Sequence, residues 1–283
     1  MSKSTDLFRR RQELGVALRE LREDTGLSGA RLAARLGVSQ SKISKIETGL
    51  SRPSVDLVEG MLDALGASDA TRIRIRELGG ITPVSFTPNS VARQRGLDHK
   101  QRTVSAWEHE SLEIRNFIPT MIPGLLQTST YVRALFTAPE WRDRLDAERM
   151  IAARSARQEI LYEDGRQFRF LLTEAGLRMR MCSSMAMASQ LEHVATISKL
   201  PGVDVAILPW HVQLPCLVLN PFALYDERWL MVEHSHGEFK VRNRRDIEFY
   251  IAQFESMHQV ALRGEEAREF LQKVADEHRG LPE

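Results

Sequence analysis

The chain has 283 residues, 42% of them hydrophobic and 27% charged, which is the composition of a soluble globular protein with room for one large or two ordinary domains. No run of 18 apolar residues occurs, and the opening MSKSTDLFRRRQELG lacks the apolar core of a signal peptide. A membrane span is therefore excluded, cytoplasmic residence is expected, and Cys182 and Cys216, too few for a disulfide framework, are expected as thiols.

Leu14, Val16, Ala17, Leu18 and Leu21 have helical spacing, with Arg19, Glu20, Arg22 and Glu23 outside, and predict a helix over 6–24. The stretch from Leu27 to Pro53 then predicts two short amphipathic helices, near 28–36 and 40–47, joined by Gly37-Val38-Ser39. Leu32, Ala33, Leu36, Val38, Ile43 and Ile46 fall where two crossing helices would share a buried face. Gly37 can take the positive φ that ends the first helix sharply, and Ser39 can cap the second. Gln40, Ser41, Ser44 and Lys45 are left on the opposite face. Pro53 and Ser54 open a fourth helix with an apolar stripe of Val55, Leu57, Val58, Met61, Leu62 and Leu65; Gly66 ends it, and a fifth runs from Ser68 to Leu78.

From Gly79 to Lys100 the chain carries Gly and Pro with little periodicity and reads as a linker. The expected organisation is thus a domain over 1–80, a linker over 81–105 and a second domain over 106–283. The early part of that second domain passes from a helical pattern into a Pro-broken loop and a helix near 127–137. A long helix is expected over Trp141–Glu163, with Arg154, Arg157 and Gln158 on one side. QFRFLL (167–172), VDVAIL (203–208), Leu217–Tyr225 and Trp229–Glu233 read as strands. Helices are expected over Met185–Leu200 and twice after Asp246. The fold class expected is α+β overall, an all-α five-helix domain followed by an α+β domain with a small sheet packed by helices. Charge follows the same division: residues 1–106 carry 18 Lys+Arg against 12 Asp+Glu, the remainder 21 against 26, so the first part suits phosphate and the second does not.

Over residues 14–70 the chain resembles the Cro/repressor-type (XRE) helix-turn-helix, and SQSKISKIETGLSRPS is close to that family's second-helix pattern. The resemblance implies a repressor-type DNA-binding domain, for which five helices in about 70 residues is the expected size. The family often opens its first motif helix with Ser-Gln-Glu, the Gln touching phosphate. Here Ser28-Gly29-Ala30-Arg31 stands instead, so that contact does not transfer, and Arg31 or Ser28 is left to substitute. The second part resembles the uncharacterised C-terminal domain of actinomycete helix-turn-helix regulators. The resemblance rests on IPGLLQT-x-x-YVRALF, the Arg157-Gln158 pair, Pro221 to Leu224, HGEF-x-V, and a terminal DIxxYxxxFxxMxxxAL, and spans nearly all of 106–277. It implies a regulatory domain; some such regulators sit beside small partner proteins as antitoxin-like modules.

A recognition helix meets bases through its N-terminal residues. Ser39, Gln40, Ser41, Lys42, Ser44, Lys45 and Arg52 are accordingly the candidate DNA-binding residues. Gln40 can pair bidentately with adenine, and Lys45 can reach guanine or phosphate. Ser41 and Ser44 are short enough for close approach, and Arg52 is placed for the backbone; Lys42 divides between contact and a solvated face. Glu47 would repel phosphate and is expected to turn inward to Arg19 or Arg22. A metal site from His211, Cys216, His234 and His236 is disfavoured, because the two His of HSH would point to opposite sides of a strand and no paired ligand motif supports them. No G-x-S-x-G, Cys-His signature or phosphate loop appears, so neither an enzyme nor a cofactor is expected. Met179, Met181, Met185 and Met187 read as core, with a pocket or partner surface as the alternative. The function expected is a sequence-specific regulator on double-stranded DNA, a homodimer. Its second domain senses a small-molecule ligand or a protein partner; the competing reading is an antitoxin-like module that captures a small partner protein.

Overall fold

The computed structural model describes residues 3–79, 84–90, 97–137 and 147–282, and the chain forms two compact units, 1–83 and 84–283. The first is all helical: α1 Lys3–Asp24, α2 Gly29–Arg35, α3 Gln40–Glu47, α4 Val55–Ala64 and α5 Asp69–Gly79. Serine starts four of these helices by one device. The hydroxyls of Ser28, Ser39, Ser54 and Ser68 accept from the backbone N–H of Arg31, Lys42, Leu57 and Thr71 at 3.2, 3.3, 3.2 and 3.3 Å, which satisfies one donor left open at each N-terminus.

Between α2 and α3 Gly37 sits at φ +63°, a region L side chains avoid. Leu14, Leu18, Leu32, Ala33, Ile43, Ile46 and the α4 stripe from Leu57 to Leu65 form one core, with Leu36 and Val38 half-buried against it. Val16, expected within that stripe, is instead 52% exposed. The buried face of α1 runs through Leu14, Ala17, Leu18 and Leu21, at i, i+3, i+4 and i+7, and position i+2 lies on the other side. α1 packs onto the C-terminal end of α3 so closely that a Cβ on Gly15 would stand 2.5 Å from the Ile46 carbonyl oxygen.

The second unit is built on seven strands: β1 Val84–Pro88, β2 Glu113–Ile118, β3 Gln167–Thr173, β4 Val203–Leu208, β5 Phe222–Tyr225, β6 Trp229–His234 and β7 Gly237–Val241. Their order across the sheet is β1-β7-β6-β5-β2-β3-β4; β2, β3 and β4 run parallel, the remaining pairings antiparallel. The helices are α6 Leu97–Glu110, α7 Ser129–Thr137, α8 Ala147–Gln158, α9 Glu174–Arg178, α10 Ser184–Ile197, α11 Arg244–Gln259 and α12 Gly264–Arg279, with 3-10 turns at Gly124–Leu126 and Glu159–Tyr162. Side chains alternate between two cores. Phe168, Phe170, Leu172, Val205 and Ile207 face one that also holds Leu191, Val194, Leu271 and Val274. Leu171, Ala206 and Leu208 face the other, with Ile247, Phe254 and Met257 of α11. Burial on both faces is why VDVAIL reads as a nearly unbroken apolar run.

The segment 79–100, expected as linker, contributes β1, and the last nine residues assigned to the linker, 97–105, lie within α6. β1 pairs residue for residue with β7, Val84 opposite Val241 and Pro88 opposite Gly237. It is an edge strand, where a proline lacking its N–H is tolerated, so Gly-Pro content misled the linker assignment. β2 and β7 were also not anticipated, and Leu217–Tyr225 narrows to Phe222–Tyr225, with Leu217 and Leu219 each 76% exposed. Of the helix expected over Trp141–Glu163, residues 141–146 lie outside the described residues and the rest is α8 with its 3-10 turn. No helix among the described residues is long and apolar enough to cross a membrane.

Candidate nucleic-acid interface

Ile43, Ile46 and Glu47 of α3 are buried, and the helix's other side chains are not. Ser39, Gln40, Ser41, Lys42, Ser44, Lys45 and Arg52 are all exposed. Between Leu27 and Val55 the chain has five basic residues, Arg31, Arg35, Lys42, Lys45 and Arg52, and one acid, Glu47. That acid is withdrawn. Arg22 donates to both Glu47 oxygens, at 2.7 and 2.9 Å, and its Nη1 to the Leu27 carbonyl at 2.9 Å. Of the two expected partners it is thus Arg22; Arg19 pairs with Glu23. Glu59 of α4, 3% exposed, is likewise turned inward and takes two bonds from Arg76 at 2.8 and 2.6 Å.

Arg31, Lys42, Lys45 and Arg52, by contrast, make no side-chain hydrogen bond or ion pair with the described residues. The face of α2 and α3 therefore presents unneutralised cations and neutral polar groups. Ser28 is committed to capping α2, so of the two substitutes for the family's phosphate-touching Gln, Arg31 is the one whose side chain is open. Leu50, 71% exposed between α3 and Arg52, was not singled out from sequence. Its only signal was an apolar residue without a place in the helical period.

The second unit holds a partly open cavity of about 400 Å³ between α6, α8, the 122–128 loop and strands β2, β5 and β6. Arg157 lines it, and Gln158 holds the loop that forms another of its walls. Arg157 reaches Glu108 of α6 at 2.9 and 2.5 Å and also bonds Gln101. Gln158 Nε2 donates to the Gln127 carbonyl at 2.6 Å. Gln190 of α10 clamps the same loop, donating to the Leu126 carbonyl at 2.6 Å and accepting from Thr128 N at 2.7 Å.

The metal alternative is placed differently from expectation. His236 lies in the turn after β6 rather than on the strand, and its ring stacks on that of His234 with centroids 6.0 Å apart. His211 is exposed and distant in sequence, and Cys216 Sγ accepts from Ser256 Oγ at 3.8 Å. Among the described residues no three His, Cys, Asp or Glu side chains group so as to hold a metal ion. The methionines divide: Met187 is core, Met181 is half-buried against it, and Met179 and Met185 are 44% and 55% exposed.

The first unit is thus a helix-turn-helix domain, the fold of a class of DNA-binding proteins, and residues 13–74 match the family model of a helix-turn-helix domain. Residues 101–273 match the model of a domain of unknown function, DUF5753, and the protein belongs to that family. No curated protein matches the chain. The resemblance to solved structures, of which three follow, is distant. NucT from Helicobacter pylori shares 11% identity at a TM-score of 0.36, over 63% of this chain and 97% of that one. The phospholipase D family member Nuc from Salmonella typhimurium shares 12% at 0.34, over 64% and 95%. TrmBL2, an archaeal chromatin protein, shares 13% at 0.33, over 84% and 88%. At such scores none of the three bears on what this chain does.

Proposed function

We propose that the protein is a sequence-specific, cytoplasmic transcriptional regulator that lays α3 in the major groove of duplex DNA. The observation that carries this reading is the withdrawal of Glu47, the one acid between Leu27 and Val55, from a face where Arg31, Lys42, Lys45 and Arg52 have no side-chain partner among the described residues. Gln40 and Lys45 read base edges, and Ser41 and Ser44 permit close approach. Ser39, Lys42 and Arg52 meet the backbone, and Leu50 makes an apolar contact with a sugar or a thymine methyl. One such unit buries little surface, so two copies on two half-sites supply the affinity. The C-terminal unit senses a ligand or partner and holds the dimer.

The test is binding-site selection with the full chain. Gln40→Ala is expected to relax sequence preference by about 1–3 kcal/mol at one position, whereas Arg52→Ala weakens binding to all duplexes alike. An unchanged preferred site for Gln40→Ala contradicts the docking.

Antitoxin-like capture of a small partner protein is the second reading. It draws on Leu217 and Leu219, each 76% exposed, and Phe249, 63% exposed. Gln253 of α11 donates to the Leu217 carbonyl at 2.8 Å, which brings this apolar segment onto the helix that carries Phe249.

A further inference from the structure

The cavity of the C-terminal unit contains a cation without a contacting carboxylate among the described residues. Arg154 and Arg157 leave α8 one turn apart and both line it. Arg157 is neutralised by Glu108. Arg154 is not: Nη1 donates to the Gln127 side-chain oxygen, the guanidinium lies 5.1 Å over the Phe136 ring, and the buried Nε makes no hydrogen bond. Glu233, also in the wall, acts on Arg154 only through its field. Among the described residues no carboxylate stands within ion-pair distance of it. Burial, with the Arg157 charge acting the same way, pulls the Arg154 pKa down to about 10, so the group is still charged at neutral pH.

An enclosed, uncompensated guanidinium works against folding unless something pairs with it. A forked guanidinium is suited to a planar carboxylate in particular. The lining also holds Ile118, Met121 and Phe136, apolar side chains that keep part of their surface exposed and that an inorganic anion would leave unused. Asn116 Oδ1, buried in the same lining without a hydrogen-bond partner, is an acceptor awaiting a donor.

We propose that this cavity binds a small organic acid, its carboxylate paired with Arg154 and its hydrocarbon body against Ile118, Met121 and Phe136. The volume suits a molecule of amino-acid to drug-like size. This rests on the reading of the C-terminal unit as a sensor and names the class of what it senses.

The test is calorimetry on the full chain without DNA, using hexanoate and phenylacetate, their amides, and inorganic phosphate as probes. At least one acid is expected to bind, about tenfold or more tighter than its amide, with binding lost in Arg154→Gln and partly kept in Arg154→Lys. Arg154→Gln is also expected to raise the melting temperature of the ligand-free protein, because it removes an uncompensated charge; a merely structural Arg154 would lower it. No binding by either acid, equal binding of acid and amide, binding of phosphate alone, or acid binding unchanged in Arg154→Gln would each overturn the proposal. Arg154-dependent acid binding that leaves DNA affinity unchanged would uphold the site and overturn only the sensing role.

Discussion

Glu47→Ala is expected to destabilise the helix-turn-helix unit by about 3 kcal/mol. The magnitude turns on burial: an exposed pair contributes about 0–1 kcal/mol, whereas removing one member of an enclosed pair strands the other. The side chains of Arg22 and Glu47 are 12% and 8% accessible, and Arg22 links α1 to α3 and, through the Leu27 carbonyl, to the start of α2. Its remaining acidic contact is Glu23 at 3.5 Å, itself half exposed. Urea denaturation of the full chain, followed by tryptophan-independent helix content, should show the transition of the first unit shifted and that of the second unmoved. A change under about 0.5 kcal/mol would mean that the pair behaves as a surface pair. Replacing both residues with leucine should recover most of the loss, since apolar side chains of similar volume often substitute for a buried pair without penalty.

The second large effect is expected in the C-terminal unit. Glu108 is 3% exposed and is the carboxylate that contacts Arg157. Glu108→Ala leaves Arg154 and Arg157, one helical turn apart, both without a contacting carboxylate among the described residues. Repulsion then adds to desolvation, and a loss of about 3–5 kcal/mol is expected. Glu108→Gln keeps an acceptor for one Arg157 donor but no charge, and should fall between the two. Thermal unfolding of both variants checks the order; a Glu108→Ala protein as stable as the parent contradicts the account of the cavity wall.

What the sequence made legible is what local chemistry decides. Gly37, Ser39 and the apolar spacing from Leu32 to Ile46 act within a few residues of one another, so the turn and the buried face could be read directly. The inward turn of Glu47 was legible for an electrostatic reason, since a carboxylate on a phosphate-facing helix is unfavourable. The missed strands depend on partners far along the chain. β1 exists because β7, some 150 residues later, offers it an edge. β2 is broken in pattern by Arg115, which is accommodated by Glu113 at 2.9 Å. The HSH geometry was misjudged because residues two apart on a strand share a face rather than opposing ones, and because the strand ends at His234 and the chain turns there. Of the cavity, the sequence held one trace, Arg154, Arg157 and Gln158 on the same side of a helix. Which arginine has a carboxylate is decided by α6, and no spacing within α8 encodes it.

The central claim is that duplex DNA is read by the first unit alone. It is tested most directly by gel-shift titration of residues 1–83 and residues 84–283 as separate fragments against the site selected by the full chain. The expected result is that 1–83 binds this site roughly 10²–10⁴-fold more weakly than the full chain, for want of a tethered second copy, and that 84–283 does not bind. A shift by 84–283, or an affinity of 1–83 equal to that of the full chain, would contradict it.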